Sequence, residues 1–154
     1  MNKREIILVL MSFLLSNKVI AAQEMLKTSS VRVGEPAPFT DSLKRANEAG
    51  NVIVMTLFPN PMGCRRCDSM VDLIKGEAQV YKGKAEFIVK GGEDMLGATD
   101  EETVALKRYY GFVTMGEPWT FIIDKKGTLR KIIIGSLTKE EMEESISSIL
   151  EVKE

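Results

Sequence analysis

Cys64 and Cys67 are the only cysteines in the 154-residue chain, and two residues separate them. They follow an apolar run, Val52 to Phe58, and the turn-forming stretch Pro59-Asn60-Pro61-Met62-Gly63, and they open a helical pattern. A Cys-x-x-Cys at such a strand-to-helix junction is the sequence form of a dithiol that opens and closes a disulfide. A helix continuing through the intervening residues puts Cys64 at its first turn, where unpaired N–H groups and the helix dipole favour a thiolate. Arg65 and Arg66 add two fixed positive charges beside it. All of these push the Cys64 thiol downward, and the thiolate is the nucleophile. Cys67, one turn further in, falls on a stripe with Met70, Val71, Ile74, Ala78 and Tyr81, the spacing of one buried helix face. An exposed attacking sulfur and a half-buried resolving sulfur is the division of labour that thiol–disulfide exchange needs.

The surrounding elements must hold that pair at an accessible edge. Thr40 to Ala49 reads as a short helix with Leu43 and Ala46 inward and Gly50 as its stop. Val52 to Phe58 reads as a strand covered on both faces, a form usual for parallel strands joined by crossover helices. The helix of about residues 65–82 supplies a crossover, with Gly76 as a weak point, and Ala85 to Lys90 is the next strand. A Gly-Gly connection, 91–100, follows near the dithiol, where it would shape partner choice. Thr99-x-x-Glu102 has the form of a capping box opening a helix that Gly111 closes. Trp119 to Ile123 and Thr128 to Ile134 read as strands of a hairpin turning through Asp124-Lys125-Lys126-Gly127. Thr138-x-x-Glu141 is a second capping box, ahead of a helix that turns Met142, Ile146, Ile149 and Leu150 inward. The pattern predicts an α/β domain with a mixed sheet, the two cysteines at the carboxyl end of a buried strand, where open α/β sheets place their sites.

Composition narrows the rest. Residues 1–22 read as a secretory signal: Lys3 and Arg4, a ten-residue apolar core from Ile6 to Leu15, and small residues at Ala21-Ala22. That core is half of the roughly 20 residues that span a bilayer, so anchoring by this segment is the lesser reading. Residues 23–38 are an extended lead-in ending in Gly34-Glu35-Pro36-Ala37-Pro38, and 39–154 form the domain. The signal carries three of the 21 basic and one of the 22 acidic residues, which leaves 18 and 21 and a net charge of −3. That balance favours neither nucleic acid nor an anionic surface as partner. Export puts the dithiol where disulfides persist. The absence of histidine removes Cys-His and Ser-His-Asp catalysis, and two cysteines alone do not make a zinc site.

With these residues in place the chain resembles the thioredoxin superfamily, in particular the exported thioredoxin-like thiol–disulfide oxidoreductases related to the cytochrome c maturation reductases. The motifs are Cys64-x-x-Cys67, Gly116-Glu117-Pro118-x-Thr120-Phe121-Ile122-Ile123-Asp124 with Gly127, and Gly135-Ser136-Leu137-Thr138-x-Glu140-Glu141. Gly34 to Phe39 is similar to the entry segment of the same branch. The resemblance implies a thioredoxin-like fold and a reductase of disulfides in exported proteins, with no cofactor and with a membrane thiol-redox partner as the source of electrons. It implies that Pro118 is a cis-proline facing the sulfurs, that the backbone of Glu117 pairs with an extended substrate segment, and that Trp119 shields the sulfurs or contacts substrate unless it is plain core. Gly63 departs from the tryptophan usual before the first cysteine, and neither intervening residue is proline. The buried acid usual on the leading strand is missing from Val54-Met55-Thr56-Leu57, which leaves Cys67 without an obvious base; Glu117 is the substitute considered.

Other readings remain at this point. Stabilising the Cys64 thiolate makes the pair more oxidising, so an oxidant or isomerase on the same fold is one alternative. Met62-x-Cys64-x-x-Cys67 also fits the loop of small soft-metal chaperones, with Met55, Met70 and Met115 as candidate thioethers for Cu(I). A bridge across two residues closes too small a loop to stabilise much, so a purely structural disulfide is poorly motivated.

Overall fold

The computed structural model describes residues 31–59, 65–91, 100–112 and 117–151, with Arg65 and Arg66 described by their backbone alone. The expected order of elements is realised: α1 (Asp41–Glu48), β1 (Val52–Leu57), α2 (Arg65–Val80), β2 (Ala85–Lys90), α3 (Glu101–Tyr109), β3 (Trp119–Ile123), β4 (Leu129–Ile134) and α4 (Lys139–Leu150). The signal and residues 23–30 of the 23–38 lead-in lie outside the described residues.

The four strands form one sheet in the order β2-β1-β3-β4. β1 pairs with β2 in parallel, across the α2 crossover, and with β3 antiparallel, Leu57 standing opposite Trp119. β3 and β4 form the expected hairpin. The two central strands are buried along their whole length, which is why their sequences read as unbroken apolar runs. Alternation divides them between two cores. Ile53, Met55, Leu57, Trp119, Phe121 and Ile123 pack against Leu43 and Ala46 of α1 and Leu106 of α3. Val52, Val54, Phe58 and Ile122 pack against Cys67, Met70 and Ile74 of α2 and Met142 and Ile146 of α4.

Local chemistry fixes the ends. The hairpin turns on Asp124: its Oδ1 accepts the N–H groups of Lys126 and Thr128, both at 2.9 Å, and its Oδ2 accepts Arg130 Nε at 2.6 Å. Burial alone would raise that carboxyl, but these donors outweigh it and hold it below its ordinary value. The lead-in docks here too. Ala37 N–H donates to Gly127 O, Gly34 N–H to Leu129 O and Leu129 N–H to Glu35 O, which lays 34–37 along the start of β4. Thr138 and Glu141 form the expected reciprocal capping box at α4.

The α3 cap differs from expectation. Asp100 is the N-cap, its carboxylate accepting Thr103 N–H at 2.9 Å. Glu102 is thereby released from a capping role. Its carboxylate instead accepts Ser42 N–H of α1 at 2.9 Å and meets Lys90 Nζ at 2.8 Å.

Candidate active site

β1 ends at the carboxyl edge of the sheet, Phe58 N–H donating to Lys90 O at 2.8 Å. The chain then leaves the described residues until α2 opens at Arg65. Arg65 and Arg66 are the first two residues of that helix, at its positive end. Cys67 is the third. It is buried on the α2 core face and is disulfide-bonded. Met62, Cys64 and the side chains of Arg65 and Arg66 lie outside the described residues.

Residues 117–119, singled out by the resemblance, occupy three different environments. Pro118 is buried, and strand alternation continued back from Thr120 and Ile122 puts it on the Cys67 face. It is not a cis-proline: no peptide bond among the described residues is cis, the Glu117–Pro118 bond included. The trans form is the lower-energy one. It suits a residue whose carbonyl, accepting Gly135 N–H at 2.9 Å, prolongs the β3–β4 ladder. Glu117 is exposed, and a Cβ on Gly135 would lie 3.7 Å from its Oε2. Its carboxylate is therefore on the β4 side of β3, away from β1. Trp119 falls on the plain-core side of the two readings left open for it. It is completely buried on the opposite face from Cys67, its ring 5.7 Å from Phe112 and 6.1 Å from Phe121, so it is core rather than a substrate contact.

The thioether candidates also part. Met55 is buried in the core beneath α1 and Met70 in the core beneath α2, on opposite faces of the sheet, so they cannot close on one ion. Met115 lies outside the described residues.

Two features of this edge were missed in the sequence. Thr56 and Thr120 stand opposite each other on β1 and β3, their hydroxyl oxygens 3.0 Å apart and buried. The signal was present as two hydroxyls inside apolar runs. On the other face, burial lowers the Lys107 ammonium, which stands 5.4 Å above the Phe112 ring. Lys107 Nζ also closes on Gly91, where an added Cβ would meet it at 3.4 Å and the Phe58 carbonyl oxygen at 2.6 Å.

A dithiol here would have its resolving sulfur in an apolar layer at the first turn of α2, an arrangement suited to disulfide exchange. No protein-family model matches the sequence, and no curated protein sequence does. Solved structures do match. A thioredoxin-family thiol:disulfide interchange protein from Chlorobium tepidum aligns over 78% of this chain and 99% of its own, with a TM-score of 0.57 and 17% identity. A 2-Cys peroxiredoxin from Plasmodium vivax covers 77% of this chain and 96% of its own, with a TM-score of 0.59 and 12% identity. Thioredoxin from Fasciola hepatica covers 71% and 91%, with a TM-score of 0.50 and 20% identity. The mixed sheet and its flanking helices are thus a thioredoxin-like fold.

Proposed function

We propose that this chain is a thiol–disulfide oxidoreductase acting outside the cytoplasm, in which Cys64 attacks and Cys67 resolves. The observation that carries the reading is the place of Cys67: disulfide-bonded, in the first turn of the helix that follows the central strand of a thioredoxin-like sheet. The named neighbours, a thiol:disulfide interchange protein and thioredoxin among them, support the same chemistry.

In the reductive direction the Cys64 thiolate attacks a substrate disulfide and expels one thiolate, leaving a mixed disulfide. Cys67 then attacks Cys64 Sγ, the second substrate thiolate leaves, and the two protein thiols have given up two electrons. A dithiol reductant, in this reading a membrane thiol-redox protein, restores them. Substrates are exported proteins bearing disulfides, and the 1–22 signal delivers this chain to their compartment. Arg65, Arg66 and the helix N-terminus stabilise the thiolate and with it the reduced form, which makes the pair a stronger oxidant, within a range of roughly −270 to −120 mV for such proteins. A potential at the oxidising end would make the chain an oxidant.

The test is trapping. Cys67→Ser leaves Cys64 able to attack and nothing to resolve, so the variant expressed with its signal should accumulate mixed disulfides with exported proteins. Recovery of no such adduct, with exported proteins or with a model disulfide, would defeat the reading.

A further inference from the structure

The buried hydroxyls of Thr56 and Thr120 have no structural necessity. Thr56 is 1% exposed and Thr120 0%, and their oxygens are 3.0 Å apart. Replacing both partners of a buried hydrogen bond by apolar groups of the same shape is close to neutral or stabilising. Valine is that shape, it is favoured in strands, and the neighbouring positions Val52, Val54 and Ile122 are already β-branched and apolar. Two valines would build this sheet as well as two threonines.

The position of the pair supplies a reason for the hydroxyls. Thr56 lies between Val54 and Phe58, and Thr120 two residues before Ile122; all three apolar neighbours belong to the cluster that contains Cys67, Met70 and Ile74. The hydroxyls thus sit on the Cys67 face, toward the carboxyl edge of β1. Two hydroxyls bonded to each other spend one proton between them, and the accepting hydroxyl keeps its own to donate.

We propose that Thr56 and Thr120 are positioning residues for Cys67, a neutral hydrogen-bond donor pair that stabilises its thiolate within the apolar layer under α2. The inference rests on the dithiol reading. In the resolving step the Cys67 S–H proton goes to solvent, the Sγ64–Sγ67 bond forms, the bond from Cys64 to the leaving sulfur breaks, and the released thiolate takes a proton from water. The threonines transfer no proton in this scheme. They offset the desolvation of the transient anion, and having no charge state of their own they do so at every working pH.

The reagent 5,5′-dithiobis(2-nitrobenzoate) separates the two steps, because the reduced protein releases one coloured thiolate when Cys64 attacks and a second when Cys67 resolves. In the full chain, Thr56→Val with Thr120→Val should retain wild-type thermal stability and an unchanged first phase. Its second phase should slow on the order of tenfold, the loss of one hydrogen bond to a charged group, with its pH midpoint moved upward. Thr56→Ser, which keeps the hydroxyl, should retain the wild-type second phase. A double variant with the wild-type second phase and pH profile would reduce the pair to sheet packing and overturn the proposal. So would a double variant that fails to fold, since valines would then not be equivalent. A wild-type protein showing neither phase would instead defeat the dithiol reading itself.

Discussion

The Lys90 ammonium stands 2.8 Å from the Glu102 carboxylate, which joins the carboxyl end of β2 to the first turn of α3, and the same carboxylate reaches Ser42 at the start of α1. One side chain therefore ties three elements together beside the candidate active edge. Burial pushes the Glu102 carboxyl upward, but Lys90, Ser42 and Thr40 outweigh it and bring it down to about 2. A carboxylate lowered on folding stabilises the protein above its unfolded value, and that contribution is lost as pH falls toward the folded value. Glu102→Gln should cost about 1–2 kcal/mol at neutral pH. In denaturant titrations the gap between wild type and variant should close between pH 4.5 and 2, the ordinary and folded values of this group. A gap independent of pH would show that Glu102 acts through packing.

Gly91 is required by geometry. Its φ is +82°, and an added Cβ would meet the Phe58 carbonyl oxygen at 2.6 Å, a backbone atom that cannot step aside. Gly91→Ala should destabilise by at least about 2 kcal/mol and perturb the end of β1 from which the cysteine loop departs. Thermal denaturation with thiol reactivity on the same sample checks both effects.

Gly76 is the opposite case. It is exposed inside the continuous helix α2, and a Cβ there would meet nothing within 4 Å. Gly76→Ala should stabilise by about 0.5–1 kcal/mol, seen as a raised Tm with unaltered thiol chemistry.

Trp119 separates core from site. Its Nε1 is buried without a hydrogen-bond partner among the described residues, so Trp119→Phe trades lost packing against removal of a stranded donor. The stability change should stay within about 1–2 kcal/mol, and rates of disulfide exchange should not change. A folded variant with impaired exchange would restore Trp119 to the site.

Periodicity and turn chemistry carried the fold. Val52 to Leu57 is unbroken because β1 is central, and the Thr138 and Asp124 signals fix their own helix and hairpin locally. The misreadings fall where a long-range partner decides. Thr99-x-x-Glu102 has capping-box form, but Lys90 and Ser42, distant in sequence, claim Glu102. On α2 the stripe pointed to Ala78 as core, while the structure buries the neighbouring Glu77 at 2% exposure, with Lys139 Nζ of α4 4.0 Å from its Oε1. At the site, the residue types in the Cys-x-x-Cys were legible. The face on which each later residue would land was not: one step of strand alternation puts Trp119 across the sheet from Cys67 and Thr120 on its side. The Thr56–Thr120 pair depends on β1–β3 register, which no local pattern reveals.

The claim beneath all of this is that Cys64 and Cys67 exchange electrons as a pair. Equilibration of the purified secreted form with reduced and oxidised glutathione, quenched by alkylation, tests it most directly. Both thiols should appear and vanish together in a single two-electron transition between roughly −270 and −120 mV. Thiols that resist alkylation after reduction, or a bridge that dithiothreitol does not open, would contradict the account.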